Sequence, residues 1–126
     1  MKKLDEAKIL IGDDSILARR QLKDTIASFG KATFIEAANG QEAIDLYKSE
    51  KPDIVFLDIV MPVKDGIIAV SEIMQANPNA CIIMVSSVGT QSQLKMAIES
   101  GAKDFIQKPL DAEQLKSIIT ARFEGR

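Results

Sequence analysis

Histidine is absent from this chain, and so is tryptophan. Without an imidazole there can be no Ser-His-Asp triad, no His-ligated zinc and no phosphohistidine formed on this chain. The single cysteine, Cys81, cannot form an intramolecular disulfide. It stands in the apolar run Cys81-Ile82-Ile83-Met84-Val85 and reads as a small buried hydrophobe, with no histidine to activate it as a nucleophile. An excess of positive charge is also lacking. Sixteen Lys and Arg stand against 18 Asp and Glu, a net −2, so phosphate neutralisation has little to work with and no direct nucleic-acid binding is expected. No apolar run approaches the roughly 20 residues of a membrane span. The basic start Met1-Lys2-Lys3 leads into Asp5-Glu6 and not into an apolar stretch, so no signal peptide is expected. The expectation is a protein that works in the cytoplasm and engages no membrane.

What is present is ordinary globular material: 126 residues, 46% hydrophobic and 27% charged, enough for one domain that folds without metal or disulfide. There is no repeat, low-complexity tract or internal linker. Short apolar runs alternate with longer amphipathic segments. Lys8–Gly12, Thr33–Glu36, Asp53–Asp58, Ala80–Val85 and Lys103–Gln107 read as strands, the last less apolar and so assigned to an edge. The third does not alternate, as expected of a strand buried on both faces. Helices are expected over residues from about Ser15 to Phe29, with Ile16, Leu17, Leu22, Ile26 and Phe29 inward and Gly30 as the stop. Others follow over Glu42–Lys48, Ile67–Gln75, Gln91–Ser100 (stopped at Gly101) and from about Asp111, with Leu115, Ile118, Ile119 and Phe123 inward. Met61, Met74, Met84 and Met96 read as scattered core fillers. Alternation of this kind predicts an α/β doubly wound parallel sheet, whose ligands sit beyond the carboxyl ends of the strands.

The strand ends carry an unusual set. Asp13-Asp14 follows the first strand, Asp58 ends the third, Ser86-Ser87 the fourth and Lys108-Pro109 the fifth. Asp13 taken alone could be a helix cap, and Asp58 an ordinary turn residue. Three carboxylates at one edge repel each other and stay ionised comfortably only around a cation. Oxygen-only ligands in a shallow site suit Mg2+. A divalent ion on one flank and Lys108 on the other would receive a phosphoryl group, whose transfer needs positioning and charge neutralisation above all. Asp58, at the end of the central strand, is the best-placed nucleophile.

Asp13-Asp14, Asp58 followed by Met61-Pro62 and Asp65-Gly66, Ser86, and Phe105 with Lys108-Pro109 together resemble the receiver domains of two-component signalling, of the stand-alone CheY-like type. The resemblance covers nearly the whole chain. It implies one receiver domain over 1–126, with a core from about 7 to 123, and a five-stranded flavodoxin/CheY-like sheet in the order 2-1-3-4-5. It implies that Asp58 accepts a phosphoryl group from a phosphohistidine on a sensor kinase or histidine phosphotransfer protein. Asp14 would bind Mg2+ directly, Asp13 chiefly through water, and Asp58 and the backbone carbonyl of Val60 would complete the ligands. Lys108 would pair with the phosphoryl oxygens across a cis Lys108–Pro109 peptide. Ser86 would move to hydrogen-bond the phosphoryl group and Phe105 would swing inward behind it. That would change the surface of the fourth helix, fifth strand and fifth helix, where a downstream target protein would bind. A monomer or a weak phosphorylation-dependent dimer is implied, with no catalysis beyond phosphotransfer to Asp58 and its reversal by hydrolysis, and chemotaxis is a mildly favoured pathway.

Some residues depart from the family pattern. Gly12 stands where a β-branched residue is usual, and either admits a close backbone approach or loosens the strand end. Ser87 follows Ser86 where Ala is common, Phe105 lacks a tyrosine's hydroxyl, and the apolar side chains of Val60 and Val88 cannot orient an attacking water. A long-lived acyl phosphate is therefore expected. Three other readings compete. A phosphate-independent docking module would have lost the chemistry, yet all its residues are here. A haloacid-dehalogenase-type phosphatase wants an Asp where Val60 stands. A flavodoxin-like FMN carrier would meet repulsion from Asp13-Asp14. No DNA-binding output domain is expected after the last helix, so output would lie in a partner.

Overall fold

The computed structural model describes residues 3–87 and 91–123. After a short 3-10 turn at Leu4–Glu6 come β1 (Lys8–Gly12), α1 (Ile16–Ala27), β2 (Thr33–Ala37), α2 (Gly40–Glu50) and β3 (Ile54–Leu57). Then follow α3 (Gly66–Ala76), β4 (Ile82–Ser86), α4 (Gln91–Ser100), β5 (Asp104–Gln107) and α5 (Ala112–Phe123). The five strands form one parallel sheet in the order β2-β1-β3-β4-β5. This is the flavodoxin-like arrangement that the alternation and the family resemblance pointed to, with β5 at an edge.

The two-residue period of a strand explains why the apolar runs are continuous. Leu10, Val55, Leu57, Ile82 and Met84 point to one side of the sheet and pack with Ala43, Ile44, Ala69, Val70, Ile73 and Ala97 of α2, α3 and α4. Ile9, Ile11, Ile54, Phe56, Ile83 and Val85 point to the other and pack with Leu22, Ile26, Leu115, Ile119 and Phe123 of α1 and α5. Each strand thus feeds two cores.

Helix starts are capped by side chains. Ser15 Oγ accepts from the Ala18 N–H, Asn39 Oδ1 from Glu42 and Asp65 Oδ1 from Ile68. Ser15, and not Asp13, therefore caps α1. Gly101, at φ 124°, follows α4 as a left-handed stop.

Three sequence expectations need correction. Ile16 and Leu17 are exposed, at 73% and 64%, and do not face the core. Leu17 lies five residues before Leu22, about 140° around the helix, so both cannot point inward. The inward stripe is Leu22 and Ile26, with Phe29 packed beside them. Gly30 does not stop α1 by a left-handed turn, because the helix already ends at Ala27 on a right-handed Ser28. Met96 is exposed and fills no core, while Met61 and Met84 are buried and Met74 packs against the core from a partly buried position. Among the described residues no helix is long and apolar enough to cross a membrane.

Candidate functional site

The carboxyl ends of β1 and β3 are tied together, since the Asp58 N–H donates to the Gly12 carbonyl at 2.9 Å. Side chains pack closely around Gly12, where a Cβ would lie 2.7 Å from the flexible end of Leu57, Cδ2. Asp13, Asp14 and Asp58 each present a carboxylate oxygen, and these atoms all lie within 4.8 Å of one another. Asp13 is buried, Asp58 half-buried and Asp14 exposed.

Lys108 enters this cluster from the end of β5. Its Nζ donates to Asp13 Oδ2 at 2.7 Å and lies 3.6 Å from Asp58 Oδ2. Burial works against its ammonium form, but the two carboxylates outweigh burial and hold the lysine above its ordinary pKa, so it stays charged. Burial pushes the Asp58 carboxyl above its ordinary value of 3.8, and Asp13 adds to the shift. Lys108 and the Ile59 and Val60 N–H groups pull it back without cancelling it.

Asp13 is the most constrained member. Its N–H donates to the Ala37 carbonyl, its Oδ1 accepts from the Ser15 N–H, and its carbonyl accepts from Arg19 Nη1 at 2.6 Å. The β3–α3 loop is fixed just as closely. The Gly66 N–H donates to the Ile59 carbonyl at 2.7 Å, and any Cβ on Gly66 would collide with the Asp58 carbonyl. Pro62–Lys64 close a γ-turn, with the Lys64 N–H on the Pro62 carbonyl at 2.8 Å and Val63 at φ 69°.

Ser86 is buried at the end of β4, where its carbonyl accepts from the Lys108 N–H at 2.9 Å. The Lys108–Pro109 peptide is cis. Phe105 lies in β5 opposite Met84, partly buried against the α2–α3–α4 core. Val60 is 59% exposed at the rim. Val88 lies outside the described residues. Cys81 is buried, and burial pushes its thiol up, which disfavours the thiolate. Sequence reasoning passed over Arg19. Its partners are a main-chain carbonyl and Glu36 on the next strand, and the only cue was an arginine one turn inside the helix after the acidic pair.

The donor set of three carboxylates fits a hard divalent cation. A sequence model of the response regulator receiver domain matches residues 9–120. The chain belongs to the response regulator receiver domain family. Receiver domains bind Mg2+ at an aspartate cluster, and Asp13, Asp14 and Asp58 form such a group here. This receiver domain is of the CheY type. It is 47% identical over 108 residues to the chemotaxis protein CheY of Thermotoga maritima, covering 86% of this chain and 90% of that protein. It is 45% identical over 112 residues to CheY of Bacillus subtilis, covering 89% and 93%. Among solved structures, CheY in the CheX–CheY–BeF3–Mg2+ complex from Borrelia burgdorferi superposes with a TM-score of 0.85. The identity is 39%, covering 91% of this chain and 87% of that one.

Proposed function

We propose that this chain is a phosphorylation-controlled switch, and that its chemistry is confined to gaining and losing one phosphoryl group on Asp58. The observation that carries this reading is the setting of Asp58, half-buried between the Lys108 ammonium and two further carboxylates within 4.8 Å. In the transfer an Asp58 carboxylate oxygen attacks phosphorus, the P–N bond to a donor phosphohistidine breaks, and the imidazole leaves with the bonding electrons. Since the chain has no histidine, it stands on the acceptor side. Asp13, Asp14, Asp58 and the Val60 carbonyl would hold Mg2+, which when bound neutralises charge on the phosphoryl oxygens. The Ile59 and Val60 N–H groups favour the ionised form of the attacking carboxylate. Lys108 turns from Asp13 to the new phosphoryl oxygens, which carry about −1.5 to −2 charge. The Ser86 hydroxyl closes on the same oxygens. Phe105 follows into the space behind, and the α4–β5–α5 surface changes its affinity for a target protein.

The donor is a sensor kinase or histidine phosphotransfer protein in the cytoplasm. The output is a protein target, with chemotaxis favoured by the CheY relatives, and the chain works as a monomer or weak dimer. Incubation with Mg2+ and acetyl phosphate, followed by intact-mass measurement, tests the reading. One added phosphoryl group, lost in Asp58→Ala and with EDTA, is the expected result. No Mg2+-dependent gain would leave a phosphate-independent docking module as the better account.

A further inference from the structure

Arg19 touches neither the reacting carboxylate nor any position a phosphoryl group would occupy, yet its side chain is only 12% exposed and makes two hydrogen bonds. From the first turn of α1 it spans two acceptors. Nη1 donates to the Asp13 carbonyl at 2.6 Å and Nε to Glu36 Oε1 at 2.9 Å. With the Asp13 N–H on the Ala37 carbonyl at 3.0 Å, both main-chain groups of Asp13 are held. The held carbonyl belongs to the peptide plane that leads into Asp14, and a planar peptide transmits its orientation directly to the next Cα.

This matters because of how Asp14 is placed. Among the described residues its carboxylate takes no hydrogen bond and no ion pair. The Asp13 carboxylate, by contrast, already serves Ser15 and Lys108. The ligand best able to contact a cation directly therefore has its position set by main chain alone, and Arg19 sets that main chain. Nor is the guanidinium simply a charge beside the site, since Glu36 compensates it at 2.9 Å. We propose that Arg19 is a positioning residue for Mg2+ binding, acting through the Asp13–Asp14 peptide, and that its anchor is Glu36. This deepens the proposed function and rests on Mg2+ binding at the aspartate cluster.

The two cations Mg2+ and Ca2+ separate positioning from charge. Mg2+ demands near-ideal octahedral geometry, while Ca2+ tolerates irregular sites. Arg19→Lys keeps the charge but loses the planar fork that reaches both acceptors. The metal-free protein is titrated with MgCl2 and, separately, CaCl2, following the Asp14 and Ile59 amide resonances by NMR. Arg19→Lys is expected to weaken Mg2+ about tenfold, the usual cost of losing an outer-shell partner, and Ca2+ far less. Glu36→Gln, on the exposed edge strand β2, keeps the shape and should weaken Mg2+ by a smaller factor in the same selective way. It carries the test if Arg19→Lys does not fold. Mg2+ affinity unchanged in the variants, or both cations weakened by the same factor, overturns the proposal while leaving the phosphorylation reading intact. Wild-type protein that binds no Mg2+ at these amides overturns both.

Discussion

Lys108→Met removes the ammonium from the acidic cluster while keeping most of the side-chain volume. At 2.7 Å from Asp13 Oδ2 and 3.6 Å from Asp58 Oδ2, the charge contributes a gross attraction of about 6 and about 5 kcal/mol at an effective dielectric of about 20. Most of that offsets desolvation of the three groups. What the variant exposes is the net cost of leaving buried carboxylates without a cation, about 3 kcal/mol for a pair of which one partner is partly solvated. Urea unfolding in EDTA should move to lower denaturant by that amount with an unchanged slope. Two accompanying effects have opposite sign. Mg2+ affinity should rise about tenfold, because a unit positive charge near a divalent ion is repelled by about 2 kcal/mol even at water's dielectric constant, before salt screening. The pH dependence should also change. The folded protein already holds the Asp58 proton more tightly than the unfolded chain, and losing Lys108 raises that pKa further. The ionised form is thus penalised in full above the folded-state pKa, and the penalty disappears as pH falls towards the ordinary 3.8. The stability gap between variant and wild type should therefore narrow with acid. Equal urea midpoints in EDTA at neutral pH, or weaker Mg2+ binding by the variant, would refute this picture of Lys108.

Val63→Gly should stabilise the fold by about 1 kcal/mol, read as a raised thermal midpoint. A β-branched residue at φ 69° carries about 1–2 kcal/mol of strain, which exceeds the entropy glycine adds to the unfolded chain. Gly66→Ala should cost about 3 kcal/mol in urea unfolding and weaken Mg2+ binding with it, because the new Cβ displaces the Asp58 backbone. Ser15→Ala removes the α1 cap and should cost about 1 kcal/mol with little change in the metal site. Val60→Asn should shorten the lifetime of the phosphorylated form, followed as loss of the added mass after the donor is removed, because an amide at this exposed rim position can orient a water and valine cannot.

The sheet was legible because its strands feed two cores, which makes Ile54–Leu57 and Ile82–Val85 unbroken apolar runs, too short and too sharply bounded to read as buried helices. The site was legible for a related reason. A parallel sheet collects its strand ends at one edge, so Asp13, Asp14, Asp58 and Lys108 come together there and Ser86 ends its strand at the same edge. Helix faces were read less well where apolar residues stand outside the core. Ile16 and Leu17 sit in the first turn of α1 beside the site, and Met96 sits on the outer side of α4. Hydropathy alone cannot tell such residues from core. Contacts made by main chain were out of reach altogether. The Arg19 bond to the Asp13 carbonyl and the close approach of Gly66 to the Asp58 backbone exist only once the chain is folded.

The central claim is that Asp58 itself takes the phosphoryl group. Borohydride reduces an acyl phosphate to an alcohol, so protein treated with acetyl phosphate and Mg2+, then with borohydride, should yield homoserine at position 58 on peptide mapping. Conversion at Asp58 alone, dependent on Mg2+, is the expected result. Homoserine at Asp13 or Asp14, or at no aspartate, would contradict it.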